Sequence, residues 1–237
     1  MRRSGGSLPR RVRGVFVTGT DTEVGKTVLA ATICAAAVDQ GMSVAAFKPV
    51  VTGLNEPSSG EWPPDHVLLA QTSNAGQTAE DVSPLRFGPA VSPHLAEQLS
   101  DTEINPAELV RAAEEQADRA DVLVVEGVGG LLVPLAKDYL VRDFAGELGL
   151  PVLIAARPGL GTISHSLLTL EAARAVALRV QAVVLTPWPD EPSQMEWSNM
   201  ETIERFGEVP VIGLPHTDPD SLAEAGSALP VSDWLSP

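Results

Sequence analysis

The sequence predicts an α/β fold, with one doubly wound, mostly parallel sheet and helices on both of its faces. Three observations predict it. Six short runs are near-continuously apolar rather than alternating, as parallel strands covered on both sides must be. Stretches of helical periodicity separate them, the β-α alternation that crossover connections produce. The first apolar run leads through a glycine-threonine loop and Gly-Lys-Thr into an alanine-rich helix, in the stretch "RGVFVTGTDTEVGKTVLAATICAAA".

In chain order, the expected strands are "GVFVTG" (14–19), "SVAAFKPV" (43–50), "DVLVVEG" (121–127), "PVLIAA" (151–156), "VQAVVLT" (180–186) and "PVIGLP" (210–215). Helical pattern fits 26–40, 65–72, 106–120, 140–148, 163–178 and 194–206. Two segments rich in Pro, Gly and Ser, 55–64 and 187–193, read as mobile surface loops. There is no internal repeat. In a sheet of this kind ligands gather beyond the carboxyl ends of the strands. Several strand ends carry suitable residues there: Thr18 to Lys26, Lys48 to Gly53, Glu126 to Gly130, Thr186 onward, and Pro215-His216.

The chain has 237 residues, enough for one domain with a substantial core, and it is 44% hydrophobic. Residues 1–13 carry five of the arginines and no acid, and read as a basic, disordered tail ahead of a single domain over 14–237. The net charge of −15 is therefore steeper, about −20, over the body. Such a surface repels nucleic acid and anionic membranes, so neither is an expected partner. No apolar run approaches the ~18 residues of a membrane span. Cys34, the one cysteine, reads as a buried, unreactive thiol. With no disulfide possible within the chain, a reducing cytoplasm is the expected location. His66, His94, His165 and His216 lack metal-ligand spacing, and no zinc is assigned.

Backbone N–H groups of a glycine-rich turn and of the helix that follows converge on anionic oxygens, helped by the helix dipole. In that setting Lys26 reaches the β- and γ-phosphates and the Thr27 hydroxyl ligates Mg²⁺. Five residues stand between Gly19 and Gly25 where the common pattern has four, so the loop is a variant. The expected fold is thus P-loop NTPase-like, and nucleotide binding follows from the motif in its strand-turn-helix context.

Only three lysines occur, Lys26, Lys48 and Lys137, against 13 arginines. Lys48 ends the apolar run "SVAAF", beside the phosphate loop if the first two strands are near neighbours. A compact ammonium there stabilises charge on a moving phosphoryl group; the alternative is a strand-end lysine reaching for water. Glu126 ends "DVLVV", and a carboxylate closing a buried run demands a partner, which a metal or an ordinary salt bridge supplies. Asp65, after "WPP", either caps the next helix or ligates metal.

Taken together, "VTGTDTEVGKT", "FKPVVTG", "VSPH", "VVEGVGGLLVPL" and "GTISHSLLTLEA" resemble the dethiobiotin synthetase family in order and spacing, from about residue 14 to about 217. The variant loop is itself typical of that family. The resemblance implies ATP- and Mg²⁺-dependent carboxylation of 7,8-diaminononanoate by CO₂, with ring closure, in a homodimer. It implies triphosphate contacts from Glu23, Val24, Gly25, Lys26, Thr27 and Val28, and a catalytic lysine at Lys48 acting with Lys26. It implies Mg²⁺ ligands at Thr27, Asp65 and Glu126. Gly127, Val128 and Gly129 would line the nucleotide. Thr22, Thr52 and Gly130 would meet the diamine, with Ser164 in the "SHS" stretch (164–166) near the subunit interface. The family often carries Asn there, and it often carries Asn-Asp where this chain has Thr186-Pro187. Proline has no N–H and threonine lacks an amide's paired donor and acceptor. Base readout would then be weaker, or rest on Pro215, His216 and Thr217, so nucleoside triphosphates other than ATP are expected to serve.

Two other classes share the loop. Partner-controlled ATPase switches of the septum-site and plasmid-partition type carry an extra lysine near the loop start, where this chain reads Thr-Asp-Thr-Glu. Cobyric-acid-type synthetases need an ammonia source, commonly a glutaminase with a nucleophilic cysteine, and the only cysteine here lies in the first helix.

Overall fold

The computed structural model describes residues 13–57 and 62–236. The expected tail lies outside them except for Arg13, whose guanidinium donates to the Leu235 carbonyl at 2.9 Å. The first half of the chain forms β1 (Gly14–Gly19), α1 (Lys26–Asp39), β2 (Val44–Phe47), β3 (Val50–Val51), α2 (Asp65–Thr72), α3 (Ala79–Val82), β4 (Leu85–Arg86), α4 (Pro93–Gln98) and α5 (Pro106–Ala117). Then come β5 (Val122–Gly130), β6 (Pro134–Ala136), β7 (Tyr139–Leu140), α6 (Val141–Leu148), β8 (Val152–Ala156) and α7 (Thr162–Arg174). The chain closes with β9 (Val180–Trp188), α8 (Gln194–Gly207), β10 (Val211–Pro215), α9 (Leu222–Ala225) and α10 (Val231–Trp234).

Six strands form one parallel sheet in the order β10-β9-β8-β1-β5-β2. The chain runs outward from β1 to the edge, inserts β5 into the gap, and then crosses to build the other half. That reversal opens a crevice at the carboxyl end of β1. Both faces are apolar, as the unbroken strand runs required. Phe16, Phe47 and Val125 pack under α5 to α8, with the Phe144 ring edge-on to Phe16 at 6.0 Å. Val15, Val17 and Val124 pack on the other face under Leu29 and Ile33 of α1.

The strand expected over 43–50 is two strands. Pro49 has no N–H to give a ladder, and beyond it β3 leaves the main sheet to pair with β4. The loop expected at 187–193 begins later than its composition suggested, because Pro187 and Trp188 finish β9. Edge strand β2 is covered by amide side chains rather than by another strand. Asn74 accepts from the Val44 N–H, while Gln77 accepts from the Ala46 N–H and donates to the Ala46 carbonyl, both at 2.8 Å.

Candidate active site

The loop after β1 turns back on itself at Gly25, whose φ of +86° favours a residue without Cβ. A Cβ there would also sit 2.5 Å from the Thr186 methyl group, so Gly25 is fixed by both backbone and space. Val24 turns inward and anchors the loop in the core under α1. From the first position of α1, Lys26 reaches back to donate to the Asp21 carbonyl at 2.7 Å. Arg157, just past β8, clamps the outer arch: its Nε and Nη2 donate to the Glu23 carbonyl at 3.3 and 3.1 Å.

Strands β1 and β2, expected as near neighbours, stand one strand apart. Strand β5 lies between them, and it brings the partner. Glu126, 1% exposed, accepts from Lys48 Nζ at 2.6 Å and from Thr27 Oγ1 at 2.8 Å on the same oxygen, Oε1. Lys48 also pairs with Asp65, which opens α2 without a side-chain cap on that helix. Two lysines, a hydroxyl and two carboxylates from β2, α1, α2 and β5 thus meet at one sheet edge.

Their ionisation follows from their mutual contacts. Burial alone would lower the Lys48 pKa, but Glu126 and Asp65 outweigh it and hold the ammonium above its ordinary value. Lys26 is lowered, chiefly by burial, with Glu126 opposing. Burial opposes ionisation of Asp65 too, yet Lys48 beside it brings its carboxyl below the usual value. Burial raises Glu126, against the pull of Lys48. Its second oxygen, Oε2, is buried with no hydrogen-bond partner. A shielded carboxylate oxygen beside a hydroxyl and a second carboxylate is a hard-oxygen donor set of the sort Mg²⁺ takes.

These groups line a cleft of about 740 Å³ together with Thr22, Glu23, Gly25, Val28, Thr52, Val128 and Gly129. Gly127 is buried against the Phe16 ring, and Gly130 packs beside the Gly19 carbonyl; neither lines the cleft. Thr186 backs the phosphate loop through its methyl group. Pro187, Pro215, His216 and Thr217 stand at the ends of β9 and β10, outside the cleft-lining set, with Pro215 in register with Trp188. On α7, Ser164 and His165 are exposed away from the cleft, whereas Ser166 is buried.

Apolar side chains complete the lining: Val50, Trp62, Leu68, Val91, Pro93 and Val133. Apart from Val50, inside the strand end Lys48 to Gly53, none of these had an expected place at the site. Trp62 and Pro63 fall in the segment expected to be a surface loop, yet they face the cleft. Ser92, Arg157 and the short elements β4 and α4 were also missed as site-forming parts. "VSPH" carried Ser92 as a motif without a role.

The fold and the site define a P-loop nucleotide-binding protein, and a family model described as an AAA domain matches residues 13–221. The chain is 36% identical over 205 residues to the ATP-dependent dethiobiotin synthetase BioD of Bacillus subtilis, covering 86% of this chain and 87% of that protein. Against the protein of the same name from Anaeromyxobacter dehalogenans it is 42% identical over 186 residues, covering 77% and 81%. It belongs to the ATP-dependent dethiobiotin synthetase family. The septum site-determining protein MinD of Pyrococcus horikoshii, solved with Mg-ADP, shares the fold alone. Its TM-score is 0.51 at 14% identity, covering 94% of this chain and 88% of that one. Among the described residues, no helix is long and apolar enough to cross a membrane.

Proposed function

We propose that the protein joins CO₂ to 7,8-diaminononanoate and closes the cyclic urea of dethiobiotin while cleaving ATP to ADP and phosphate. The observation that carries this is the convergence of Lys26, Thr27, Lys48, Asp65 and Glu126 in a cleft that apolar side chains also line. The charged groups suit a triphosphate and reacting amines; the apolar side chains suit the substrate's hydrocarbon chain.

One substrate amine takes up CO₂ as a carbamate. A carbamate oxygen attacks the γ-phosphorus, and the bond to ADP breaks with its electron pair leaving on the β-phosphate oxygen. The second amine then attacks the carbonyl carbon of the mixed anhydride, closing the ring and expelling phosphate. Lys26 and Lys48 neutralise charge on the transferring group, and Thr22 and Thr52 orient the diamine. The acceleration comes from positioning and preset electrostatics, and no protein base is assigned. Thr27, Asp65 and Glu126 would hold Mg²⁺, which supplies charge neutralisation across the phosphate oxygens when bound. Lys48, paired with Glu126 and Asp65 in this structure, would place its ammonium beside the transferring phosphoryl group.

Three finer readings belong with this one. Nucleoside triphosphates other than ATP serve as co-substrates, because the residues at 186 and 187 offer no amide to a base edge. The protein acts as a homodimer in the cytoplasm, with exposed Ser164 turned toward the partner subunit. Nucleic acid and membranes are not partners.

The test is purified protein with Mg-ATP, bicarbonate and diaminononanoate, with mass detection of the cyclic product and omission of each component in turn. Product that requires all of them supports the reading. ATP hydrolysis stimulated by lipid or DNA but not by the diamine would replace it with a partner-controlled switch.

A further inference from the structure

Ser92 stands at the N-cap of α4, where a serine hydroxyl ordinarily accepts from a backbone N–H of the first turn and stabilises the helix by ~1 kcal/mol. It makes no such bond here. Its Oγ instead lies 3.0 Å from Nδ1 of His94, two residues on. The residue lines the cleft within a stretch that is otherwise apolar, between Val91 and Pro93.

The loop that carries Ser92 is clamped to the loop that carries Thr52. The Gly53, Leu54 and Asn55 N–H groups donate to the Pro89, Phe87 and Gly88 carbonyls at 3.0, 3.2 and 2.9 Å. A Cβ on Gly53 would meet Ala90 at 3.4 Å, so the two loops approach closely there. Thr52 and Ser92 therefore line one cleft from two loops held together by backbone hydrogen bonds.

A hydroxyl offers one donor and two acceptors. A bond to His94 uses one of them and stops the rotor, leaving further capacity facing the cleft. We propose that Ser92 is a substrate-binding residue that accepts a hydrogen bond from one amino group of the vicinal diamine, and that His94 is its positioning residue. In this arrangement the Ser92 O–H donates to Nδ1 of His94, so the serine lone pairs are free for an N–H donor. A polar group among apolar lining residues fixes orientation, here of the amine that Thr52 does not hold. The assignment rests on the proposed function for the identity of the substrate.

Steady-state kinetics of the full chain with diaminononanoate varied test it. Ser92→Ala is expected to raise KM for the diamine ~10-fold, the scale of one lost hydrogen bond, with KM for ATP within about twofold and Tm unchanged. His94→Leu is expected to reproduce that rise. His94→Asn, whose Oδ1 can take the place of Nδ1, is expected to restore KM to within about threefold. An unchanged diamine KM in Ser92→Ala overturns the proposal. So does a lowered Tm with equal losses toward ATP and diamine, because that is the signature of a helix cap. Absence of diamine-dependent turnover in the unmodified protein would instead reject the proposed function itself.

Discussion

The Lys48 ammonium lies 2.6 Å from Oε1 of Glu126, at a place where neither side chain is more than 6% exposed. An ammonium and a carboxylate from adjacent strand ends neutralise each other there, and Asp65 completes the ammonium's surroundings. Removing one partner of such a pair leaves the other charge buried and uncompensated. The pair is therefore held ready at the place where triphosphate and metal are expected.

Lys48→Gln should lower kcat by ~100-fold or more while leaving nucleotide affinity within about tenfold, since the glutamine keeps the shape but not the charge. Single-turnover rates and a nucleotide binding isotherm read the two quantities separately. Unchanged turnover would remove Lys48 from the chemistry.

The buried, unpartnered Oε2 of Glu126 leads to a second expectation. Glu126→Gln should raise the Mg²⁺ concentration for half-maximal turnover by ~10-fold or more, the scale of a lost charged contact. Chelation of Mg²⁺ should abolish turnover of the unmodified protein. A Mg²⁺ titration that the substitution leaves unmoved would place the metal elsewhere.

Arg157 donates to the Glu23 carbonyl and lies 3.9 Å from the Glu23 carboxylate. Glu23 has a positive φ of 54°, uncommon for a residue with a side chain. Arg157→Ala should release this arch and raise KM for ATP by several-fold to ~10-fold, with kcat, diamine KM and Tm preserved. Arg157→Lys keeps the charge but loses the two-pronged contact, and should fall between. Equal KM for ATP in all three proteins would show that the clamp is incidental.

With Thr186 turned against Gly25, no amide side chain is offered to the base at that strand end. The ratio of kcat/KM for ATP to that for CTP or GTP should be modest. A discrimination above ~10⁴-fold, which dedicated polar readout achieves, would contradict it.

Cys34 supplies a pH expectation. Burial pushes its thiol from 9.0 up to about 12, with a hydrogen bond from Thr72 opposing. The native thiol therefore stays protonated at pH values where the unfolded chain has released the proton. Fewer protons on the unfolded state mean that stability falls as pH rises from about 9 toward 12. Cys34→Ala should remove that part of the fall in urea melts. Native protein should also resist a thiol-specific chromophoric reagent at pH 8, and react once unfolded; fast native labelling would contradict the burial.

Much of the scaffold was legible because its signals are local. The helix over 65–72 matched throughout, and α1, α6 and α8 fell within a residue or so at each end, since their periodicity and neighbouring turn residues lie within one window. What escaped was short and paired at a distance. Strands β3 and β4 have two residues each, and only their mutual pairing makes them strands. Without that pair nothing in "VSPH" reveals that Ser92 faces the cleft beside Thr52. Trp62 was hidden for a related reason: the prolines around it read as a surface turn, while burial against the core under α1 is decided by what arrives from elsewhere in the chain.

By itself the sequence determined the phosphate loop and the chemical character of the site, because Gly25, Lys26 and Thr27 act through backbone geometry and a helix start that form within a few residues of one another. Only the tertiary structure decided that Lys48, Asp65 and Glu126 share one ion-pair cluster. That meeting depends on β5 inserting between β1 and β2, a non-local choice of strand order. Burying both faces of the sheet drives that choice, and no short window of residues contains it.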